Sequence, residues 1–202
     1  MPKTIIAIVG SYRKGGVIDT AVDEILRAAQ AEGVQTSKIY LIDKRIEFCT
    51  NCRACMQQPG PVRGTCQHSD DMAAILDQID SADALVIASP INYYNVTAVT
   101  RKFMERLVVY GYWPWGGHPP KFRVKKSGKR AVLVTSSAAP ALIGKLFFRP
   151  ALVALKAIAQ CFGAKVIARL YFGMVAQQPH STLNKEDLLC AYNAGLKLAH
   201  GI

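Results

Sequence analysis

The sequence has few charged residues, few aromatic ones and no long apolar run. Only 19% of its 202 residues are charged and 8% are aromatic, whereas half are hydrophobic. This balance excludes a disordered chain and a coiled coil. The longest stretch without a charge, residues 84–100, has 17 residues and includes serine, proline and asparagine. It is too short and too polar for a transmembrane helix, so we expect no membrane span.

The N-terminal segment lacks the features of a secretory signal. Residues 5–9 are apolar but run directly into Gly10 without a small-residue cleavage site, which indicates a buried strand. We therefore expect a cytoplasmic protein. Internal repeats, low-complexity tracts and linkers are absent from the sequence as well, and 202 residues suit one α/β domain.

Short β-branched runs alternate with amphipathic segments along the chain, which is the pattern of βαβ units and a parallel sheet. Strands are predicted at Thr4–Val9, Ser37–Ile42, Ala84–Ala88, Ala131–Thr135 and Val166–Tyr171. Helices are predicted between and after them, at Thr20–Gln30, Asp70–Ile79 (capped by Ser69), Thr97–Tyr110, Pro150–Phe162 and Asn184 to about Gly201. Together they make a doubly wound α/β domain.

Ligands of doubly wound sheets bind at the carboxyl ends of the strands, near the point where the strand order reverses. The expected site therefore consists of three loops, at residues 10–19, 89–96 and 136–144. The first has glycines for a tight turn, a serine and two basic residues directly before a helix, which suits a phosphate group. Its glycine spacing fits neither a P-loop nor a dinucleotide fingerprint, and a plain surface turn is the alternative.

These loops resemble those of a known family. Gly-Ser-Tyr-Arg at residues 10–13, followed by glycines, looks like the phosphate-binding loop of flavodoxin-like FMN reductases, with tyrosine in place of the usual proline. Ser-Pro-Ile-Asn-Tyr-Tyr at residues 89–94 resembles the loop that lies against the isoalloxazine in that family. The resemblance implies one flavodoxin-like domain over residues 1–202, a three-layer sandwich around a five-stranded parallel sheet of order 2-1-3-4-5.

The resemblance also implies FMN as the cofactor. Because a carboxylate beside a phosphate is unfavourable, Asp19 is expected to cap the helix or to face away. No catalytic side chain is expected, because the flavin itself performs the chemistry. The residues expected at the cofactor are Ser11, Arg13, Gly16, Asp19, Thr20, Pro90, Ile91, Asn92, Tyr93, Asn95, Ser136 and Ser137.

Four of the six cysteines, Cys49, Cys52, Cys55 and Cys66, lie within 18 residues. In a reducing compartment, clustered thiols indicate metal or redox chemistry before they indicate disulfides. Three cysteines at two-residue gaps can wrap one corner of an iron–sulfur cubane, with a fourth from farther along the chain. The pattern resembles the iron–sulfur flavoprotein branch of the same family. That implies a [4Fe–4S] cluster beside FMN, in an insertion over about residues 44–69.

The ten residues between Cys55 and Cys66 exceed the spacing of that branch. The extra length can loop out at little cost. Alternatively the cluster is absent and the thiols are free, or they bind zinc, which more often uses two separated Cys-x-x-Cys pairs. Cys161 and Cys190 fall within predicted helices and are interpreted as core residues.

The two halves of the chain differ in charge. Residues 1–100 have 9 basic and 11 acidic side chains, whereas residues 101–202 have 16 and 3. The excess includes a basic run of Lys121, Arg123, Lys125, Lys126, Lys129 and Arg130. We interpret it first as a solvated connector; an acidic redox partner, the 2′-phosphate of NADPH, RNA or an anionic membrane are alternatives. Because no RNA-binding motif accompanies the run, we expect no nucleic-acid partner.

An aromatic segment follows the third predicted helix. It is interpreted as a subunit interface, where aromatic residues are enriched, or as a wall of the flavin's substrate pocket. Its members are Tyr110, Tyr112, Trp113 and Trp115.

The sequence thus predicts an FMN-dependent oxidoreductase in which FMN and a [4Fe–4S] cluster exchange electrons. NAD(P)H or a reduced ferredoxin is the expected donor, a small molecule such as a quinone or a protein is the expected acceptor, and the assembly is a homodimer or homotetramer. One alternative is a cluster-free NAD(P)H-dependent FMN or quinone reductase. Another is a non-catalytic electron carrier that docks an acidic partner.

Overall fold

The computed structural model describes residues 4–117, 119–124 and 127–201. The strands within these ranges are β1 (Thr4–Val9), β2 (Gln35–Tyr40), β3 (Ala84–Ala88), β4 (Ile91–Asn92), β5 (Asn95–Val96), β6 (Gly111–Tyr112), β7 (Lys121–Phe122), β8 (Arg130–Ser136) and β9 (Lys165–Phe172). The helices are α1 (Val17–Ala31), α2 (Met72–Ser81), α3 (Ala98–Arg106), α4 (Ala141–Phe147), α5 (Arg149–Cys161) and α6 (Lys185–His200). Single 3₁₀ turns occupy Leu41–Asp43, Ala54–Met56 and Leu107–Tyr110.

The main sheet has five parallel strands in the order β2-β1-β3-β8-β9. β4 with β5, and β6 with β7, form separate two-residue antiparallel ribbons. Counting only the five long strands, the order is 2-1-3-4-5, so the predicted fold class is confirmed. The strand order reverses between β1 and β3, and their carboxyl ends lead into the first two loops of the expected site.

Alternate side chains of the central strands pack into two separate cores, because successive residues of a strand point to opposite faces. Ile6 and Ile8 face one core, which is covered by α2, α3 and α5. Ile5 and Ala7 face the other, which is covered by α1 and α6. The result is the predicted three-layer arrangement. Among the described residues, no helix combines the length and the hydrophobicity that crossing a bilayer requires.

Two of the predicted helices begin two or more residues away from the predicted start. α1 starts at Val17, three residues before Thr20, because Gly16 already occupies its N-cap position. α2 starts at Met72, and the predicted Ser69 cap is wrong: the carboxylate of Asp70 accepts the hydrogen bond from the Met72 N–H at 3.1 Å. The N-cap positions are thus occupied by Gly16 in α1 and by Asp71 in α2, and not by the residues that the local pattern indicates.

One helix and one cysteine also differ from the prediction. The first four residues of α4, 141–144, lie inside the predicted third loop, residues 136–144. Leu142, Leu146 and Phe147 of α4 are exposed, so the helix has no buried apolar face from which it could be predicted. Cys161 is partly buried against the core as predicted. Cys190 is exposed, and its assignment to the core is wrong, because α6 buries the adjacent stripe of small residues that includes Ala191 and Ala194.

Candidate functional site

The loop after β1 turns sharply against the start of α3. The Gly10 N–H donates to the carbonyl of Ala88 at 2.7 Å, and the Gly10 carbonyl accepts from the Thr97 hydroxyl at 2.6 Å. A Cβ at Gly10 would lie 1.8 Å from Oγ1 of Thr100. Glycine is therefore required at this position by the close approach of α3, and the first loop is fixed to the second.

The N-terminus of α1 faces a cleft and carries no side-chain cap among the described residues. The first backbone N–H groups of a helix have no partner within the helix, and they favour an anion. Ser11 lies beside them: its hydroxyl accepts from the Arg13 N–H at 3.1 Å. The Arg13 guanidinium extends across the cleft and donates to the carbonyl of Pro179 at 3.2 Å.

Asp19 lies in the first turn of α1, and its carboxylate is directed back at the glycine turn without lining the described cleft. Its carboxylate accepts from the Gly15 N–H at 2.7 Å, from Lys38 Nζ at 2.6 Å and from the Tyr40 hydroxyl at 2.9 Å. Burial alone would raise the pKa of Asp19, but these hydrogen bonds outweigh it and hold the pKa below its usual value. The buried carboxylate thus fixes the glycine turn from behind.

The loop after β3 rests on a buried polar network. The Ser89 hydroxyl accepts from the Thr97 N–H at 3.2 Å, and the Ser89 carbonyl accepts from the Thr135 hydroxyl at 2.8 Å. Thr97 also caps α3 by accepting from the Thr100 N–H at 3.3 Å. Since Thr97 contacts Gly10 as well, one threonine connects the loops that follow β1 and β3.

The cleft at the carboxyl edge of the sheet has a volume of about 920 Å³, which lies within the range of cofactor pockets. The predicted residues that line it are Ser11, Arg13, Gly16, Pro90, Ile91, Asn92, Ser136 and Ser137. Asp19 and Thr20 lie behind the first loop, where the Thr20 hydroxyl is 3.5 Å from the Gly15 carbonyl. Tyr93 and Asn95 lie on the tip of the β4–β5 ribbon and do not line the described part of the cleft.

A fourth loop, after β9, completes the cleft, and the sequence did not predict it. It contributes Val175, Ala176, Pro179, His180, Ser181 and Thr182. β9 is the edge strand beside β8, so its carboxyl end lies at the same edge as the other loops. Only the position of β9 in the sheet could have predicted that this loop lines the cleft, because the loop carries no motif.

The cysteine loop, residues 44–69, closes through its backbone. The Gly64 N–H donates to the carbonyl of Val109 at 2.8 Å, and a Cβ at Gly64 would lie 1.8 Å from the carbonyl oxygen of Cys55. The buried Arg123 donates to the carbonyls of Cys55 and Gly60, each at 3.2 Å. The ten-residue gap therefore loops out, and at Gly64, two residues before Cys66, the chain returns beside Cys55.

A buried ion pair holds Cys66. Arg106 and Asp70 are each 1% exposed and form two contacts, at 2.5 and 3.2 Å. Arg106 also donates to the Glu47 carbonyl at 2.8 Å and to Sγ of Cys66 at 3.4 Å. Arg106 thus joins both ends of the cysteine loop.

The four thiols of the cysteine loop interact electrostatically. Burial raises the pKa of the Cys55 thiol, and the charges of Cys66, Cys52 and Cys49 raise it further, so the four sulfurs share one electrostatic environment. No three His, Cys, Asp or Glu side chains in the described ranges converge enough to hold a single metal ion. The cysteine sulfurs of an iron–sulfur cubane need not converge on one point, because they bind different irons.

The aromatic segment packs on the cysteine loop instead of lining the cleft. The guanidinium of Arg53 lies 3.9 Å from the ring of Trp113 and 4.2 Å from that of Trp115, and it donates to the Trp113 carbonyl at 2.7 Å. The buried Tyr110 donates to Asp80 at 2.7 Å. The interpretation as a wall of the cleft is therefore not supported by the described lining.

The basic run is partly structural. Arg123 is buried under the cysteine loop, and Lys129 donates to the carbonyls of Asp80 and Ala82. Burial lowers the pKa of Lys129. Lys121 is exposed, and Lys125 and Lys126 lie outside the described residues. A solvated connector thus describes Lys121 but neither Arg123 nor Lys129.

Comparisons with known proteins point to one family. A sequence profile of NADPH-dependent FMN reductases matches residues 4–174. An iron–sulfur flavoprotein of Archaeoglobus fulgidus is 33% identical over 109 residues, which are 54% of this chain and 47% of that protein. One of Methanocaldococcus jannaschii is 33% identical over 102 residues, 50% of each. The chain spans about half the length of these curated relatives.

Solved structures share the fold at lower identity. An NAD(P)H:quinone oxidoreductase from Methanothermobacter marburgensis superposes with a TM-score of 0.73 at 14% identity, over 98% of this chain and all of that one. An FMN-dependent NADH-azoreductase from Bacillus anthracis gives a TM-score of 0.68 at 18% identity, over 100% of this chain and 99% of that one. At these identities the likeness supports the flavodoxin-like fold.

Proposed function

The chain belongs to the NADPH-dependent FMN reductase family, and we propose that it is an FMN-dependent oxidoreductase that also carries a [4Fe–4S] cluster. The resemblance deduced from residues 10–13 and 89–94 is confirmed by the family match and by the iron–sulfur flavoprotein relatives. When bound, FMN and the cluster would supply electron-transfer chemistry between an external donor and an acceptor. The observation that carries the proposal is the cleft at the β1–β3 switch point, lined by both resembling loops.

The first loop would hold the FMN phosphate. The N–H groups at the start of α1 face the cleft, and the Ser11 hydroxyl and the Arg13 guanidinium lie beside them. Asp19 would hold the turn through the Gly15 N–H while keeping its own charge away from the phosphate. Lys14 pairs with Asp43 at 2.6 Å, so Arg13 is the better placed cation.

The other loops would hold the ring system and the ribityl chain. Pro90, Ile91 and Asn92 would form one wall, with Ser136 and Ser137 opposite. When bound, FMN supplies the hydride and one-electron chemistry. The chain's own residues orient the flavin and exclude water from one of its faces. The expected roles of Thr20, Tyr93 and Asn95 remain predictions.

Cys49, Cys52, Cys55 and Cys66 would be the four ligands of the cluster. The support is the closure of the ten-residue gap by Gly64 and Arg123, and the shared electrostatic environment of the thiols. Cys55 is buried and Cys52 is exposed, so the cluster would have one side toward solvent. Free thiols and zinc are the alternatives that an iron assay separates.

The proposal also covers the electron donor and acceptor, the oligomeric state and the cellular compartment of the protein. We propose NAD(P)H or a reduced ferredoxin as donor, a quinone or a protein as acceptor, and a cytoplasmic homodimer or homotetramer. The exposed Leu142, Leu146 and Phe147 of α4, between 65% and 85% exposed, support self-association, because large exposed apolar patches mark interaction sites.

The test is a titration of the metal-loaded protein with FMN. Wild type should quench flavin fluorescence on binding, and Arg13→Ala should bind at least about tenfold more weakly, as expected for losing a contact worth about 1.4 kcal/mol. Arg27→Ala is the control, since Arg27 is exposed on α1 and pairs with Glu24. No uptake of FMN by wild type would contradict the proposal. FMN binding without steady-state NAD(P)H or ferredoxin oxidation would favour a non-catalytic carrier.

A further inference from the structure

We infer that Arg106 is a positioning residue for the cluster proposed above: it donates a hydrogen bond to the sulfur of Cys66 and makes the cluster easier to reduce. The inference rests on the proposed function, because it requires Cys66 to be a ligand. It extends that function from the ligands to the residue that sets their electronic environment.

The guanidinium of Arg106 is held in one orientation. It is 1% exposed at the last residue of α3, and Asp70 and the Glu47 carbonyl receive three of its hydrogen bonds. A fourth N–H, on Nη2, is directed at Sγ of Cys66, at 3.4 Å, and the buried Nε–H has no hydrogen-bond partner among the described residues. Because the planar fork of arginine is rigid, these contacts also fix the direction of the N–H that meets the sulfur.

A hydrogen bond to a ligand sulfur changes the energy of the reduced cluster more than that of the oxidised one. Reduction adds one electron, with no bond formed or broken, so negative charge on the sulfurs increases. Hydrogen bonds to the sulfurs and net charge are among the factors that set the potentials of iron–sulfur clusters. A donor in a buried site acts strongly, because little water is present to screen it.

Asp70 offsets the charge of Arg106 without removing its donor. The two side chains form a neutral buried pair, so the effect of Arg106 on the cluster comes from the directed N–H together with the residual field of the pair. Removing the Asp70 charge should therefore strengthen the positive field at Cys66. This gives two substitutions with opposite expected signs.

The effect should be confined to the cluster. Arg106 lies at one end of α3, and Thr97, which contacts the first loop of the cleft, lies at the other. Nine residues at 1.5 Å each place the two ends about 14 Å apart. A change at Arg106 should therefore leave the flavin potential close to that of wild type.

The test compares cluster and flavin midpoint potentials in anaerobically purified protein titrated with dithionite. Arg106→Lys keeps the positive charge but cannot reach Asp70, Glu47 and Cys66 together, and we expect a more negative cluster potential with an unchanged flavin potential. Arg101→Lys is the matched control, since Arg101 lies on α3, is exposed and pairs with Glu105 at 3.1 Å. Asp70→Asn should shift the cluster potential to more positive values.

The outcomes separate this inference from the proposed function. Wild type without iron would overturn both. Iron in wild type, with an unchanged cluster potential in Arg106→Lys or with an equal shift of the flavin, would overturn the inference alone. If Arg106→Lys fails to fold or to keep iron, Asp70→Asn decides: a positive shift supports the inference, and a negative one, no shift or loss of iron overturns it.

Discussion

Gly64→Ala tests how the cysteine loop closes. The new Cβ would lie 1.8 Å from the carbonyl oxygen and 2.7 Å from the carbonyl carbon of Cys55, and both are backbone atoms that cannot rotate away. Separating the two segments also weakens the 2.8 Å hydrogen bond from Gly64 to Val109. The substitution should therefore destabilise the fold and move Cys66 away from Cys55.

The size of the effect follows from these two contacts. Overpacking costs about 1–3 kcal/mol, and a lost hydrogen bond about 0.5–1.5 kcal/mol, so the free energy of unfolding should fall by about 1.5–4.5 kcal/mol. For a chain of this length that lowers Tm by about 3–18 °C. Thermal unfolding followed by circular dichroism measures the shift, and an iron assay should find less iron per chain.

The control for Gly64→Ala is Val62→Ala in the same loop. Val62 is 74% exposed, so its truncation should change Tm and iron content little. If Gly64→Ala unfolds at the wild-type temperature and keeps its iron, the close approach to Cys55 does not close the loop.

Three further predictions concern the cleft and the aromatic segment. The hydrogen bonds that lower the pKa of Asp19 stabilise the fold above the unfolded Asp pKa of about 3.9, and this contribution is lost as pH falls through the lower folded pKa. Asp19→Asn should therefore cost about 1.5–3 kcal/mol at pH 7 and reduce the dependence of the urea midpoint on pH between pH 3 and 6. Curves of wild type and variant that run parallel over this pH range would refute the role of Asp19. Thr97→Val removes the cap of α3 and leaves the Gly10 carbonyl without its 2.6 Å partner. The free energy of unfolding should fall by about 2–3 kcal/mol, and FMN binding should weaken. Unchanged urea unfolding and flavin affinity would count against the hydrogen-bond network of Thr97. Arg53→Ala removes the cation between the only two tryptophans of the chain. The free energy of unfolding should fall by about 1–3 kcal/mol, and the tryptophan fluorescence emission should shift. Emission identical to that of wild type would show that the stacking is absent in solution.

The fold was predictable because its central strands β1 and β3 are continuous apolar runs. Thr4–Val9 and Ala84–Ala88 agree with the structure at both ends, since buried parallel strands leave a clear signal. α4 was not predictable, because its apolar residues face outward and give no amphipathic pattern relative to the core.

The cleft was predictable where a local motif exists and not elsewhere. Ser11 and Arg13 follow from a glycine loop before a helix, which has a physical meaning within a few residues. His180 belongs to a loop without a motif, and its place at the cleft depends on where β9 joins the sheet. The local sequence does not indicate such long-range strand pairing.

The arginines that contact the cysteine loop or belong to it show the same limit. In the sequence, Arg53, Arg106 and Arg123 look like surface charges, since arginine is mostly exposed. Their carbonyl, sulfur and ring partners lie 40 to 68 residues away in several of these contacts. The four cysteines were recognisable from their spacing, whereas the residues that gather them required the structure.

We propose that this one chain holds both FMN and an iron–sulfur cluster, the cluster on Cys49, Cys52, Cys55 and Cys66. The most direct measurement is the iron, sulfide and FMN content per chain of anaerobically purified wild type and Cys66→Ala. We predict about four irons and one FMN per wild-type chain, and a loss of iron with retention of FMN in Cys66→Ala. Wild type with FMN but no iron, or a Cys66→Ala variant with full iron content, would contradict the claim.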